Sequence, residues 1–311
     1  MLGRRMDARL LRLLTHDRNR KSQDDLDREA RAPTFDLEAA SSYLERVRTL
    51  LFGGDFPVDP GLSYLDVGCG MGRLSLGLAR AGVRDVTAVD LVAHNIRMAR
   101  GLAEGLPPGR VPTFVHADIH AWDPGRKFDV IVVLGAMEHI REPARFLRWL
   151  AGTLAPGGLA CVSIEPFHSP FGDHMRAFFR VPVPWSGLLF SEEAMLEVRR
   201  ERFRPSDPAR RYAEIQGGMN QLRYGVYRRS LREAGLRFRA RHVNPQLRRG
   251  WRRRPLALAS DVLTAIPMVR DYFVVCEYGV LEAASDGVSV PAPAAGDGTA
   301  SGRRIAEGGL A

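Results

Sequence analysis

The chain has 311 residues, 45% hydrophobic and 26% charged, a make-up that fits a globular protein with one full core and an elaboration. No apolar run approaches the roughly 20 residues that span a bilayer, and charges at Asp7, Arg9, Arg12 and Asp17 exclude a secretory signal, so the cytoplasm is the expected compartment. Three widely spaced cysteines, Cys69, Cys161 and Cys276, make neither a disulfide framework nor a zinc ribbon, and the net charge of +9 is unevenly spread. Lys21 and Lys127 are the only lysines, and residues 199–254 carry 18 arginines against four acids, a formal +14 that leaves about −5 for the rest. Such asymmetry suits an anionic substrate or surface, or else a solvated arginine-rich exterior.

In chain order, residues 1–32 read as a peripheral arm with a short helical stretch at Leu10, Leu11, Leu13 and Leu14. Pro33 to Asp36 reads as a helix start, followed by one apolar face through Tyr43, Leu44, Val47, Leu50 and Leu51. Strands are expected at 62–67, 86–89, 113–116, 128–134 and 159–164. Helices at 73–81, 94–106 and 143–154 alternate with them. That alternation predicts an α/β fold: a doubly wound, mostly parallel seven-stranded sheet with helices on both faces. The long stretch from about 165 to 216 reads as a lid inserted after the fifth strand. A helix at 220–234 and strands at 236–243 and 271–281 complete the domain, which would run from 61 to 282. From 283 to 311 the composition (PAPAAGDGTASG) carries too little apolar content to fold.

The strongest motif is Asp66-Val67-Gly68-Cys69-Gly70-Met71-Gly72, a buried strand entering a glycine turn that opens a helix. Glycine lets the backbone approach a ligand, and a helix N-terminus offers unpaired N–H groups. The dinucleotide fingerprint needs its third glycine at position 73, which is Arg73, and Asp66 suits a cationic amine better than a pyrophosphate.

The pattern resembles the nucleotide-binding motif of class I S-adenosylmethionine-dependent methyltransferases, a Rossmann-like family. Further matches follow in order: Val86 to Asp90, then His116-Ala117-Asp118-Ile119, Phe128 to Ile131, Leu134 to Ile140, and Leu154 to Gly158. The resemblance implies S-adenosyl-L-methionine as cofactor, with Asp90 at the ribose and Asp118 at the adenine. Asp66, Gly68, Cys69, Gly70, Gly72, Leu91, Ile119 and Leu134 complete the implied cofactor set.

The fourth strand exits into Gly135-Ala136-Met137-Glu138-His139, without the Asn/Asp-Pro-Pro-aromatic or Pro-Cys patterns of base methylation, so nucleic acid is not the expected acceptor. The Glu-His pair resembles the small-molecule O-methyltransferase branch, including enzymes of quinone biosynthesis. An attacking hydroxyl must lose its proton, a task for an imidazole. His139 is one candidate base. His168 and His174, in the run Glu165-Pro166-Phe167-His168-Ser169-Pro170-Phe171-Gly172-Asp173-His174, are the others. Their H-x5-H spacing matches no standard metal site, and no metal is expected. The expected acceptor is a hydroxyl, or an amine, of a small or lipid-linked metabolite, including anionic, glycosyl or secondary-metabolite acceptors, with peripheral membrane contact as an option and the oligomeric state open. Two alternatives are a protein or RNA methyltransferase that uses residues 199–254, and an inactive cofactor-binding partner.

Overall fold

The computed structural model describes residues 4–18, 20–22, 25, 35–215, 218–248 and 254–284. Seven strands form one sheet in the order β3-β2-β1-β4-β5-β7-β6. β1 (Ser63–Val67), β2 (Asp85–Asp90), β3 (Thr113–His116), β4 (Phe128–Val133) and β5 (Leu154–Ile164) run parallel. β6 (Leu236–Val243) and β7 (Glu277–Ala283) close the far side, β7 antiparallel to both β5 and β6. The order reverses between β1 and β4, and open α/β sheets leave their ligand crevice at such a point.

The strand sequences are nearly continuous apolar runs because both faces are covered. In β4 the two-residue period sends Val130 and Val132 into a layer with Leu44, Leu74 and Leu78. Ile131 and Val133 enter the opposite layer with Phe146, Leu147 and Tyr227. The first layer is roofed by α2 (Leu37–Arg46), whose N-cap Asp36 accepts from the Ala39 N–H, and α3 (Arg73–Arg80). The second is roofed by α5 (Pro143–Thr153) and α7 (Tyr224–Glu233), while α4 (Ala93–Ala103) connects β2 to β3.

Three expectations need correction. The N-terminal segment is not peripheral: α1 (Arg4–Leu14) buries Ala8 and Leu11 among Phe178, Phe179, Phe190 and Met195. Its Arg12 reaches Glu197 at 2.7 Å and Glu201 at 2.6 Å, both on α6 (Glu192–Arg202), and Thr15 bridges to Phe179. With α1, the insertion after β5 therefore builds a small core of its own. Ser191 caps α6 as its sequence suggests, and Trp185 stands at that core's edge, its indole N–H donating to the Tyr272 carbonyl at 2.8 Å.

The last strand begins at Glu277 rather than at residue 271. The Asn244 side chain accepts from the N–H groups of Val275 and Cys276 and donates to Phe273 O and Ser260 Oγ, so this backbone is satisfied without a strand neighbour. The connection from β6 to β7 also contains an unexpected helix, α8 (Arg254–Ala265). At the C-terminus, Ala283 ends β7 and Ala284 donates to Gly235 O, so the fold reaches slightly past the expected boundary; the remainder of the expected tail lies outside the described residues.

Candidate active site

The turn after β1 is built from backbone that other residues resist. Gly68 and Gly72 have φ of 69° and 79°, in the left-handed region. A Cβ on Gly68 would stand 2.5 Å from Ala136 Cβ, and one on Gly72 would stand 2.8 Å from the Phe114 ring. Gly70, by contrast, faces open space, with nothing within 4 Å of an added Cβ. Its N–H donates to Asp90 Oδ2 at 2.8 Å, which ties the turn to the end of β2.

Asp90 is itself held in place. Its Oδ1 accepts from the Val92 N–H at 2.8 Å and from Asn95 Nδ2 at 3.1 Å. A carboxylate offers about four acceptor sites, so one remains for a ligand. After β3, Asp118 accepts from the His120 N–H through Oδ1 and from Arg141 through Oδ2 at 2.6 Å. Arg141 follows β4 and is largely exposed, so this pair straddles the gap between the two strand ends.

These residues surround a cavity of about 720 Å³ at the C-terminal edge of the parallel strands. Of the residues singled out in the sequence, Gly68, Gly70, Asp90, Leu91, Asp118, Ile119 and His139 line it. Asn95, His120 and Arg141 also line it, as do Ala213 and Gly218 from the insertion; none of these carries a motif. Asp66, Cys69, Gly72 and Leu134 are not on its wall. Asp66 is buried in β1 and accepts from Ser75 Oγ at 2.5 Å; burial pushes its carboxyl up to about 6, with the Ser75 bond opposing. It braces α3 against the sheet, and burial raises the Cys69 thiol well above its ordinary range.

The exit from β4 is clamped by the insertion. Asn220 donates through Nδ2 to the carbonyls of Met137 and Ile140, and its N–H donates to Glu138 O. His139 Nδ1 lies in hydrogen-bond contact with the Gly218 carbonyl. A carbonyl can only accept, so Nδ1 carries a proton, and in the neutral ring Nε2 keeps its lone pair. The His174 ring stands 5.7 Å from that of His139, edge to face. Burial lowers the His174 imidazole, and His139 adds to the effect. His168 is not on the cavity wall: its ring packs on Phe167, and burial, followed by Arg223, lowers its pKa.

Two carboxylates complete this corner. Glu138 is buried with Oε2 unpartnered, and burial pushes its carboxyl up to about 7. Burial also raises Glu165, 3.7 Å from His174 Nε2. Glu138, Glu165 and His174 each offer one donor atom within 4.8 Å of the others, a grouping able to hold a divalent cation although no spacing announced one.

Among the described residues, no arginine between 199 and 254 lines the cavity. Arg199, Arg237, Arg241 and Arg248 instead pair with Asp207, Glu282, Glu277 and Asp261. Arg252 and Arg253 lie outside the described residues.

A Rossmann-like sheet with a glycine turn, an acid at the end of β2 and another after β3 is the architecture of a class I methyltransferase, with S-adenosylmethionine as cofactor. The chain belongs to the methyltransferase-domain family, which it matches over residues 3–247. It is similar to the ubiquinone biosynthesis O-methyltransferase of Methylobacterium sp. (strain 4-46), 40% identical over 101 residues, 32% of this chain and 39% of that protein. The enzyme of the same name from Caulobacter sp. (strain K31) is 42% identical over 105 residues, 33% of this chain and 40% of that protein. The chain thus spans about two fifths of the length of these relatives. Among solved structures, the CcbJ methyltransferase from Streptomyces caelestis aligns with 79% of this chain and 90% of its own, at 15% identity and a TM-score of 0.48. No described helix is long and apolar enough to cross a membrane.

Proposed function

We propose that the protein methylates a hydroxyl group of a small or lipid-linked acceptor in the cytoplasm, with His139 as the base. The observation that carries this reading is the placement of His139: it stands on the cavity wall with Nδ1 committed to Gly218 O, leaving Nε2 to take a proton. The cavity suits the cofactor. Its volume lies within the range of small-molecule sites, Gly70 leaves room for close backbone approach, and Asp90 retains acceptor capacity for a ribose hydroxyl. When bound, S-adenosylmethionine supplies a methyl group already activated on a sulfonium.

The chain's residues then have two tasks. The β4 exit, clamped by Asn220 and Gly218, holds the acceptor oxygen in line with the methyl carbon, and alignment supplies most of the effect. His139 Nε2 accepts the hydroxyl proton as the oxygen–carbon bond forms and the carbon–sulfur bond breaks. His174, edge to face with His139, positions that ring from the insertion side. The quinone-pathway relatives favour a phenolic or otherwise hydroxylated acceptor on a hydrophobic carrier. No described arginine of the 199–254 segment lines the cavity, which disfavours a polyanionic protein or RNA acceptor.

The test is transfer of a radiolabelled methyl from S-adenosylmethionine to hydroxylated aromatics, to prenylated phenols and to their amino counterparts. Label should enter a hydroxyl compound and persist through acid as an ether, and His139→Ala should slow transfer about 10²-fold or more with cofactor affinity unchanged. Label only in amines, or full turnover by His139→Ala, would overturn hydroxyl methylation or the base respectively.

A further inference from the structure

The exposed apolar side chains of this molecule are not scattered. Of the 13 large hydrophobic residues exposed among the described residues, six fall between Leu256 and Tyr272. They belong to α8 and the turn after it, and α8 is built inside out. Its inward face carries Ala257, Ser260 and Thr264, with Ser260 Oγ accepting from Asn244 Nδ2 at 2.7 Å and Thr264 Oγ1 donating to Ser260 O at 2.8 Å. The residues at i, i+4 and i+8 on the opposite side, Leu258, Val262 and Ile266, are 67%, 57% and 43% exposed. Met268, just beyond, is 87% exposed. A surface helix ordinarily presents the reverse pattern.

Charge identifies what could cover this ridge. The sequence from Arg248 to Arg270 holds six arginines, Arg248, Arg249, Arg252, Arg253, Arg254 and Arg270, and one acid, Asp261. That acid is already paired with Arg248 at 2.6 Å. A tryptophan, Trp251, stands inside the arginine run immediately before the helix. An apolar ridge led by arginines and an indole matches the two layers of an anionic bilayer surface, acyl chains beneath phosphate headgroups. A protein partner or a second copy of the chain would have to bring matching acids, because the one acid within this stretch, Asp261, is already paired with Arg248.

Position connects the ridge to the chemistry. β7 begins opposite the end of β5, with Glu277 facing Ile164, and β6 ends there too, with Val243 facing Glu277. The β6–β7 connection therefore lies at the same sheet edge as the cavity. Trp185 of the insertion is tied to it through Tyr272 O and packs against Phe273 at 5.6 Å. Two further exposed apolar residues, Val181 and Leu189, flank that tryptophan in the insertion.

We infer that α8 is an interfacial helix that docks the protein on an anionic membrane surface, with Leu258, Val262, Ile266 and Met268 among the acyl chains and the positive charge of the neighbouring sequence attracted to the headgroups. The inference rests on the proposed reading of a lipid-linked acceptor and deepens it: the docked edge would present the cavity to a carrier embedded in the bilayer.

The experiment is sedimentation of the full chain with vesicles of phosphatidylcholine alone and with about one third phosphatidylglycerol, at low and high salt, beside titration with S-adenosylhomocysteine. The parent protein should bind the anionic vesicles at least tenfold more tightly than the neutral ones, and salt should weaken that binding steeply. Leu258→Ser, Val262→Ser and Ile266→Ser together should lower anionic-vesicle binding about tenfold or more while melting behaviour and S-adenosylhomocysteine affinity stay unchanged. Arg252→Ala, Arg253→Ala and Arg254→Ala together should remove most of the salt dependence. Equal binding by parent and apolar variant, no binding at low salt, equal binding to neutral vesicles, or a dimer that the apolar variant dissolves would each overturn the docking role. Loss of vesicle binding with S-adenosylhomocysteine affinity retained leaves the methyl-transfer reading standing; absence of S-adenosylhomocysteine binding removes that reading independently.

Discussion

Between Ser63 and His120 the turns around the cavity are tied by residues close in sequence, whereas between Glu165 and Cys276 the insertion is tied down by residues far apart. Asp90 reaches Val92 and Asn95, Asp118 reaches the His120 N–H, and the longest of these ties joins Gly70 to Asp90 across 20 residues. On the other side, Arg12 reaches Glu201 across 189 residues, Trp185 reaches Tyr272 across 87, and Asn220 reaches Met137 across 83. The cofactor side is fixed by turn chemistry that short motifs specify. The acceptor side is fixed by packing, which leaves its sequence free to vary with the acceptor. Damage to the first should therefore appear in cofactor affinity, and damage to the second in stability and acceptor use.

The strongest way to separate the two is Phe203→Ala. Phe203 is fully buried and stacks on Phe178 with ring centroids 4.0 Å apart, in the core shared by α1 and the insertion. Its loss should cost about 4 kcal/mol by urea denaturation and raise hydrogen exchange across the insertion. S-adenosylhomocysteine affinity should change less than about twofold, since only cavity residues set it. A large loss of affinity would mean that the two sides are not independent.

Gly68→Val probes the other side. It forces a branched side chain into left-handed backbone and onto Ala136, and should cost about 3 kcal/mol while abolishing measurable cofactor binding. Retained affinity would break the link between the turn and the cofactor.

A smaller effect is expected from Asp66. Its folded pKa, about 6, lies above the ordinary 3.8, so the fold favours the protonated form. The stabilisation from that preference is complete below about pH 4 and lost as pH rises through about 6. Asp66→Asn keeps an acceptor for Ser75 without the charge. It should match the parent near pH 4 and exceed it by roughly 2 kcal/mol near pH 8 in urea denaturation. An advantage that does not grow with pH would mean that burial does not govern this carboxyl.

The same contrast explains what the sequence made legible. The five parallel strands could be read because residues such as Val130 to Val133 are apolar on both faces, and the glycine turn because few other residues tolerate its backbone. The bond of Asp66 to Ser75 nine residues later could not be read, because nothing in the motif distinguishes a carboxylate facing the cavity from one held inside the fold. α8 escaped notice because its apolar side chains face outward, so periodicity offered no buried stripe. The late start of β7 depends on Asn244, whose side chain replaces a strand partner some thirty residues away. The pairing of His139 with His174, and the clamp of Asn220 on the β4 exit, likewise require the fold to bring distant segments together.

The central claim is that the cavity holds S-adenosylmethionine through the end of β2, and calorimetric titration of S-adenosylhomocysteine into the parent protein and Asp90→Ala tests it most directly. The parent should bind one equivalent, and Asp90→Ala should bind at least about tenfold more weakly, a loss of about 1.4 kcal/mol for a charge-assisted hydrogen bond. Equal affinity in the two proteins, or a parent that prefers NAD, would contradict the account.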